Sequence, residues 1–430
     1  MNKLQQSQKQ SIAIIGAGII GVNCAAHLQQ QGYEVTLIDK EGIGEGCSKG
    51  NAGHFATEQV FPLAEVNLLW QFPKLLLDPL GPMAISPRYF PTALPWFFKF
   101  IRNMFNHKRS QNMLALKSLN KHAIEEYKPL LKSANAEHLL TIKGSLLVFE
   151  TSNIKKVEKY YHTYKKQGVA VKLLDRQQTL LLEPNLHSAI NYSLYFTDVG
   201  HTIDPFLFCQ AIASYALSIG TVFKKLTIDQ ITPHDNEIVL SGKNLSKNIS
   251  LSFDKVIIAT GAWSKELANQ LGYNLPMEYE RGYHLDLPET DVSARLTRPV
   301  ASVERKFIMT PMSHGLRFAG TVEFAGLKLA ANMNRAKSLY KNAQYIINDL
   351  PRLKANEITE EQCWMGFRPS MPDSLPVIGQ APNHPNIYFA VGHQHLGLTL
   401  GAITGKLITQ IIQERKTDID ITPFSLERFN

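Results

Sequence analysis

The feature that most constrains this chain is a glycine triplet near its start. Gly16-Ala17-Gly18-Ile19-Ile20-Gly21 stands directly behind the apolar run Ile12–Ile15. A run that is apolar on both faces reads as a parallel strand buried within a sheet. G-x-G-x-x-G after such a strand, opening a helix, is a turn suited to a dinucleotide. Gly16 permits the tight turn, Gly18 lets backbone approach a pyrophosphate, and Gly21 lets the helix lie close to the strand. Ile19 and Ile20 open the helix, where free N–H groups and partial positive charge meet phosphates. The helix runs to about Gln31, with Gly32 as its stop. Val35–Ile38 is the next strand. Asp39 and Lys40 follow it, with Asp39 roughly where an acid grips ribose hydroxyls and repels a 2′-phosphate. Lys3 and Lys9 before an apolar stretch also resemble a secretion signal. Three glycines at fixed offsets favour strand, turn and helix instead.

At 430 residues the chain exceeds one core, so two domains are expected. A hydrophobic share of 44 % with 19 % charged residues is an ordinary globular balance. The net charge of +8 is scattered. No dense basic tract interleaves with aromatics, so nucleic acid is not an expected partner. A basic surface suits an anionic cofactor, a carboxylate substrate or an anionic membrane face. Cys24, Cys47, Cys209 and Cys363 form no C-x-x-C pair, so no metal or iron–sulfur site is expected. Few scattered thiols fit a reducing cytoplasm.

Further along, Leu146–Phe149 reads as a strand, and Asp204-Pro205 starts a helix as N-cap and first helical residue. Val256–Ala259 is another all-apolar strand, while Tyr279–Leu287 and Arg317–Gly326 read as antiparallel strands. Ile387–Val391 is followed by a turn and by a helix from Leu398 to Ile412, with Leu400, Ile403, Leu407 and Ile411 on its buried face. Residues 61–110 carry Pro62, Pro73, Pro79, Pro82, Pro87, Pro91 and Pro95, which breaks the α/β rhythm. The expected fold is therefore α/β, with a discontinuous Rossmann-like cofactor domain (1–60, 190–272, 360–430). A second domain with an antiparallel sheet and helices (61–189, 273–359) is assembled from the inserts.

Three segments tip the dinucleotide from NAD towards FAD. Gly46 to His54 is rich in small residues that let backbone run against a flat ring, with Ser48 and Asn51 able to bond to it and Ala52 and Gly53 beside it. Thr260, Gly261 and Trp263 end a strand where α/β folds bind ligands. Gly392, His393, Gly397, Leu398 and Thr399 open the last helix, whose amino end would stabilise the negative charge of a reduced flavin. The ordered set G-A-G-I-I-G, S-K-G-N-A-G, A-T-G-A-W, R-G-Y-H, G-F-R-P-S-M-P-D-S-L-P-V-I-G and G-H-Q-H-L-G-L-T-L-G resembles the D-amino-acid oxidase superfamily from about Ile12 to Gln413. Within it the chain is most similar to bacterial D-amino-acid dehydrogenases, including those for D-proline and hydroxy-D-proline.

The resemblance implies non-covalent FAD and oxidation of a small D-amino acid, with hydride leaving Cα for flavin N5. Covalent attachment through Cys363, as in sarcosine-oxidase-like relatives, is the less favoured reading. It implies that Arg368 pairs with the substrate carboxylate, and that His54, His395 and Tyr283 face flavin or substrate, with Arg281 on the same strand as Tyr283. It further implies a membrane quinone as electron acceptor. Leu94 to Arg102, with aromatics beside cations, then suits peripheral contact with the inner membrane face. The alternatives are a glycine- or sarcosine-type oxidase using oxygen, a flavin-binding subunit inactive alone, and a nicotinamide-dependent dehydrogenase. Oligomeric state is not legible.

Overall fold

The computed structural model describes residues 9–64, 78–245, 247–288, 296–351, 353–354 and 356–429. The strand Ser11–Ile15 lies inside a six-stranded sheet. It pairs in parallel with Glu34–Asp39 on one side and Lys255–Ile258 on the other. Val222–Lys225 and His384–Val391 extend the sheet in parallel, and Val377–Ala381 closes it antiparallel. Both faces are covered, which is why its inner strands are continuously apolar. Ile12 and Ile14 face the helices Ile19–Gln30, Pro205–Ser218 and Gly397–Ile412. Ala13 and Ile15 face a core shared with Ile231, Ile238 and Phe253 of a three-stranded antiparallel sheet. The Asp204 carboxylate accepts from the Leu207 amide at 2.8 Å, so the cap is formed as the residues require.

A second sheet has nine strands among the described residues. At its edge Glu278–Pro288 lies between Gly315–Phe324 and Cys363–Ser370, antiparallel to both. Three boundaries differ from expectation. Tyr192–Phe196 pairs with Ser145–Phe149 and Val171–Asp175 in this sheet, not in the cofactor sheet. Cys363–Ser370 likewise belongs here. The helices Asn106–Asn120 and Ala123–Ser133 lend Leu116, Leu119, Tyr127 and Leu130 to the core that holds Ile12 and Ile403. The reason is common to all three: period and turn residues set the type of an element, whereas its sheet or core is chosen by long-range pairing. Pro73 of the proline-rich stretch falls outside the described residues.

Candidate active site

The end of the Ser11–Ile15 strand opens onto a cleft of about 370 Å³. Gly16 sits at φ +107°, and a Cβ there would come within 2.3 Å of the Ala259 carbonyl oxygen. A Cβ on Gly21 would lie 1.8 Å from the Gly16 oxygen, so only glycine lets helix and strand approach this closely. Gly18, Ile19 and Ile20 line the cleft, and Ser48 Oγ accepts from the Ile19 amide at 2.8 Å. Asp39 also lines it, its carboxylate held by the amides of Ala17, Glu41 and Gly42. Lys40 places its ammonium 4.0 Å over the Trp263 ring, beside Thr260 and Gly261 at the next strand end.

The second glycine turn reaches the same cleft. Gly392, His393 and Gly397 line it, and a Cβ on Gly397 would lie 3.8 Å from Ile19 Cγ2. Two helix amino ends from opposite ends of the chain thus converge on one space, where both favour negative charge. His393 bonds through Nε2 to Thr404 Oγ1 at 2.9 Å, and burial pushes its pKa down to about 3.

Six expected cofactor residues do not line this cleft, Gly21 among them because it packs against the Gly16 backbone behind it. Asn51 holds the Gly53 amide through its side chain at 2.8 Å, with Ala52 between them. Thr399 Oγ1 accepts from the Ala56 amide at 3.0 Å, and the Leu398 carbonyl accepts from the Tyr127 hydroxyl at 2.7 Å. The Thr399–Ala56 bond ties the 51–56 segment to the last helix, and the Leu398–Tyr127 bond ties that helix to Ala123–Ser133. The cleft's far rim, Leu226 to Asp229, was not legible in the sequence. The rim begins where Val222–Lys225 pairs with Glu34–Asp39, a neighbour only sheet order could supply.

A second group gathers between the two sheets. Arg368 lies across Gly282, where a Cβ would be 2.5 Å from the guanidinium carbon, and it donates to Glu280 Oε1 at 3.0 Å. Ser370 Oγ donates to the other Glu280 oxygen at 3.1 Å. His395 is half-buried, and desolvation pushes its pKa down to about 4, with the charged groups Glu280, Arg368 and Glu58 nearby. His54 Nε2 meets Glu58 Oε1 at 2.9 Å. Arg368 with Glu280 and His54 with Glu58 thus form two pairs, with His395 in electrostatic reach of both.

Tyr283 and Arg281 are corrections. Along Glu278–Pro288 successive side chains alternate between faces. Glu280, Gly282 and His284 share the face that meets Arg368 and Gly50, so Arg281 and Tyr283 lie on the opposite face. Tyr283 donates its hydroxyl to Glu323 at 2.6 Å within the second domain's core. Arg281 is fully buried, bonding to the carbonyls of Ala325, Gly326, Leu329 and Ala330.

The face that carries Glu280 and His284 clamps the 46–53 loop. Arg317 forks onto Asp286 with two bonds of 2.7 Å and donates to the Asn51 carbonyl at 2.7 Å. His284 donates from Nδ1 to the Gly50 carbonyl at 2.9 Å and stacks on Trp364. Burial works against the Asp286 carboxylate, yet Arg317, His284 and His314 hold its pKa well below the usual range. Cys47 donates its thiol to the Phe367 carbonyl, and burial pushes its pKa up to about 11. Cys363 instead joins the second domain's core with Leu285 and Phe318, which leaves no attachment point for a cofactor there.

Buried histidines make stability depend on pH. Burial holds His27, His201 and His395 near pKa 4, and His393 near 3. Unfolded, each titrates near 6.5. Between pH 6.5 and about 4 the unfolded chain therefore binds more protons, so stability falls as pH falls through that window. The loss is up to about 1.4 kcal/mol per pH unit for each histidine. Guanidinium unfolding at about pH 7 and pH 5 is expected to show a clearly lower midpoint at the acid value; an unchanged midpoint contradicts neutral burial.

A glycine turn shaped for a diphosphate, an acid at the end of the next strand and a second helix amino end on the same cleft define a dinucleotide-binding fold. The chain belongs to the FAD dependent oxidoreductase (DAO) family, which matches residues 11–411, and its cofactor is FAD. It is 34 % identical over 422 residues to a D-amino-acid oxidase of Bradyrhizobium diazoefficiens, covering 97 % of this chain and 98 % of the relative. It is 27 % identical over 413 residues to a D-amino acid dehydrogenase of Vibrio vulnificus, covering 94 % and 96 %. Glycine oxidase from Geobacillus kaustophilus has the same fold at TM-score 0.70 and 21 % identity, with 97 % of this chain and 99 % of that one covered. L-proline dehydrogenase from P. horikoshii does so at TM-score 0.69 and 19 % identity, with 98 % of each covered.

Proposed function

We propose that this enzyme oxidises a small D-amino acid, with proline-like substrates included, to the corresponding imine. The observation that carries the reading is the placement of Arg368 over Gly282, anchored by Glu280, with His395 of the second glycine turn within its electrostatic reach. The names of the relatives at 34 % and 27 % identity support an amino acid of D configuration.

The residues that would hold FAD are those of the cleft, with Asp39 at the ribose and the two helix amino ends at the diphosphate and the pyrimidine edge. FAD, when bound, supplies the two-electron acceptor for the hydrogen that leaves Cα with its electron pair. Arg368 binds the substrate carboxylate: Glu280 engages one guanidinium nitrogen, and the planar fork keeps further donors for the ligand. Its charge lowers the pKa of the bound amine, keeping available the nitrogen lone pair that becomes the C=N bond. His395 stays neutral at physiological pH and so donates or accepts a hydrogen bond without adding charge. No side chain has to remove the Cα hydrogen as a proton. Water then hydrolyses an acyclic imine to keto acid and ammonia. The test is anaerobic addition of D- and L-amino acids, including proline, to purified holoenzyme, with the visible flavin band followed. Bleaching by D-amino acids supports the reading. A band that no amino acid bleaches overturns it and favours a subunit that needs a partner.

For the electron acceptor we propose a membrane quinone, reached by peripheral contact. Residues 79–124 contain Arg88, Lys99, Arg102, Lys108, Arg109, Lys117 and Lys121 and no Asp or Glu. The helix Phe90–Arg102 buries Ala93, Trp96 and Phe97 but leaves Phe98 67 % exposed, and Phe105 beyond it is 64 % exposed. Exposed aromatics between cations suit an anionic lipid interface. No helix among the described residues is long and apolar enough to cross a membrane. Co-sedimentation with phosphatidylglycerol vesicles, but not with phosphatidylcholine vesicles, is expected. The double variant Phe98→Ser, Phe105→Ser should weaken it about tenfold or more. Equal pelleting with both lipids, or none, contradicts the contact. The oxidase name of the Bradyrhizobium relative favours oxygen instead, and rapid peroxide formation during aerobic turnover would select it.

A further inference from the structure

Beside the His54–Glu58 pair lies a recess of about 40 Å³. His54, Glu58 and Tyr164 line it on one side, and Leu147, Ala301 and Ile308 of the second sheet on the other. In strand register Leu147 sits opposite Ala301, and Ala301 opposite Ile308, so the three share one face. Ile308 in turn sits opposite Ala319, two residues from Arg317 and so on the side that clamps the cofactor loop. The recess therefore opens on the face of the sheet that carries Arg317.

Its polar atoms are unbalanced. Glu58 is 5 % exposed, and its Oε2 is buried with no partner; His54 Nδ1 is in the same condition. The other atom of each residue is used in the His54–Glu58 bond. In a neutral imidazole, Nε2–H donates to Glu58, which leaves Nδ1 an acceptor, as Oε2 is. Two buried acceptors thus border a small recess whose other polar lining is Gln59, already donating to Glu58 Oε1, with Ser145 and Tyr164. Buried polar atoms are paired as a rule, so the complementary group is a donor brought by the ligand.

We infer that this recess receives the substrate's side chain and selects one that is short and ends in a hydrogen-bond donor, a hydroxyl or an ammonium. The inference rests on the proposed amino-acid oxidation and sharpens it. The volume sets the length: one water needs roughly 10–15 Å³ by the same measure, so about three atoms fit. The apolar wall of Leu147, Ala301 and Ile308 takes the side chain's carbon, and Glu58 with His54 takes its tip. A site that pairs its acceptors with a ligand donor penalises the ligand lacking it, because the acceptors are then buried unpaired.

The experiment compares matched pairs on the holoenzyme: D-serine with D-alanine, and cis-4-hydroxy-D-proline with D-proline. The 2,3-diaminopropionate of D configuration serves as the ammonium arm. At least one donor-bearing substrate is expected to exceed its partner in kcat/KM by about tenfold to a hundredfold. Glu58→Leu is expected to lower kcat/KM for that substrate at least about tenfold more than for its apolar partner. Glu58→Gln, which keeps the volume, should give a smaller loss in the same direction. Flavin content and the visible spectrum are read for each variant, so that a misfolded protein is recognised, and Glu58→Gln then carries the comparison. Equal kcat/KM within every pair overturns the inference while leaving amino-acid oxidation standing. An equal loss for both members of a pair also overturns it, since Glu58 would then serve the common amine. If no amino acid reduces the enzyme at all, it is the proposed function that fails.

Discussion

Replacing Arg368 by alanine is expected to lower kcat/KM for the amino-acid substrate about 10²–10³-fold, with FAD still bound. Removing one member of a buried, hydrogen-bonded charge pair costs about 2–5 kcal/mol of binding, part of it from the charge left behind. Here that charge is Glu280, 7 % exposed and 3.0 Å from the guanidinium. Arg368 does not line the dinucleotide cleft, so flavin content should be preserved. Arg368→Lys should recover only part of the loss, because a point charge cannot hold Glu280 and a carboxylate in one plane. Anaerobic stopped-flow reduction separates the half-saturating concentration from the limiting rate. A variant that reduces with unchanged parameters removes the carboxylate assignment. If Arg368→Ala loses flavin as well, Arg368 supports the cofactor site, not the substrate.

Gly21→Ala is expected to be the most damaging small substitution in the cofactor domain. The added Cβ would lie 1.8 Å from the Gly16 carbonyl oxygen, a backbone atom that cannot rotate away. The helix would have to lift from the strand, which moves its amino end off the diphosphate position. Overpacking of this kind costs about 3 kcal/mol or more. Gly18→Ala is the matched comparison, since its Cβ would meet Ser48 Oγ at 3.2 Å, a side-chain atom that can turn. Thermal unfolding and the flavin-to-protein ratio should therefore rank Gly21→Ala far below Gly18→Ala. Equal behaviour would mean that the close helix–strand contact is not what holds the cradle.

The dinucleotide half of the site was legible because its signals are local. Gly16, Gly18, Gly21 and Asp39 lie within a single βαβ unit, where chain geometry alone relates them. The last helix and its glycine turn were likewise legible as element and motif. Their meeting with Gly16–Gly21 is a tertiary fact, seen in the approach of Gly397 to Ile19. Tyr283 shows the limit from the other side. Period two says that Tyr283 and Arg281 share a face opposite to Glu280 and Gly282. It does not say which face meets the 46–53 loop. Glu280 was passed over beside more conspicuous neighbours, and only the register with Arg368 reveals it as the anchor.

By itself the sequence determined the element types, the diphosphate turn and its acid, and the residue set that marks the family, because each rests on short-range backbone geometry and spacing. Only the tertiary structure decided which sheet Tyr192–Phe196 and Cys363–Ser370 join, which side of the Glu278–Pro288 strand meets the 46–53 loop, and that Glu280 anchors Arg368. Those outcomes depend on pairing between segments distant along the chain, selected by the burial of whole faces and not by the residues of any one segment.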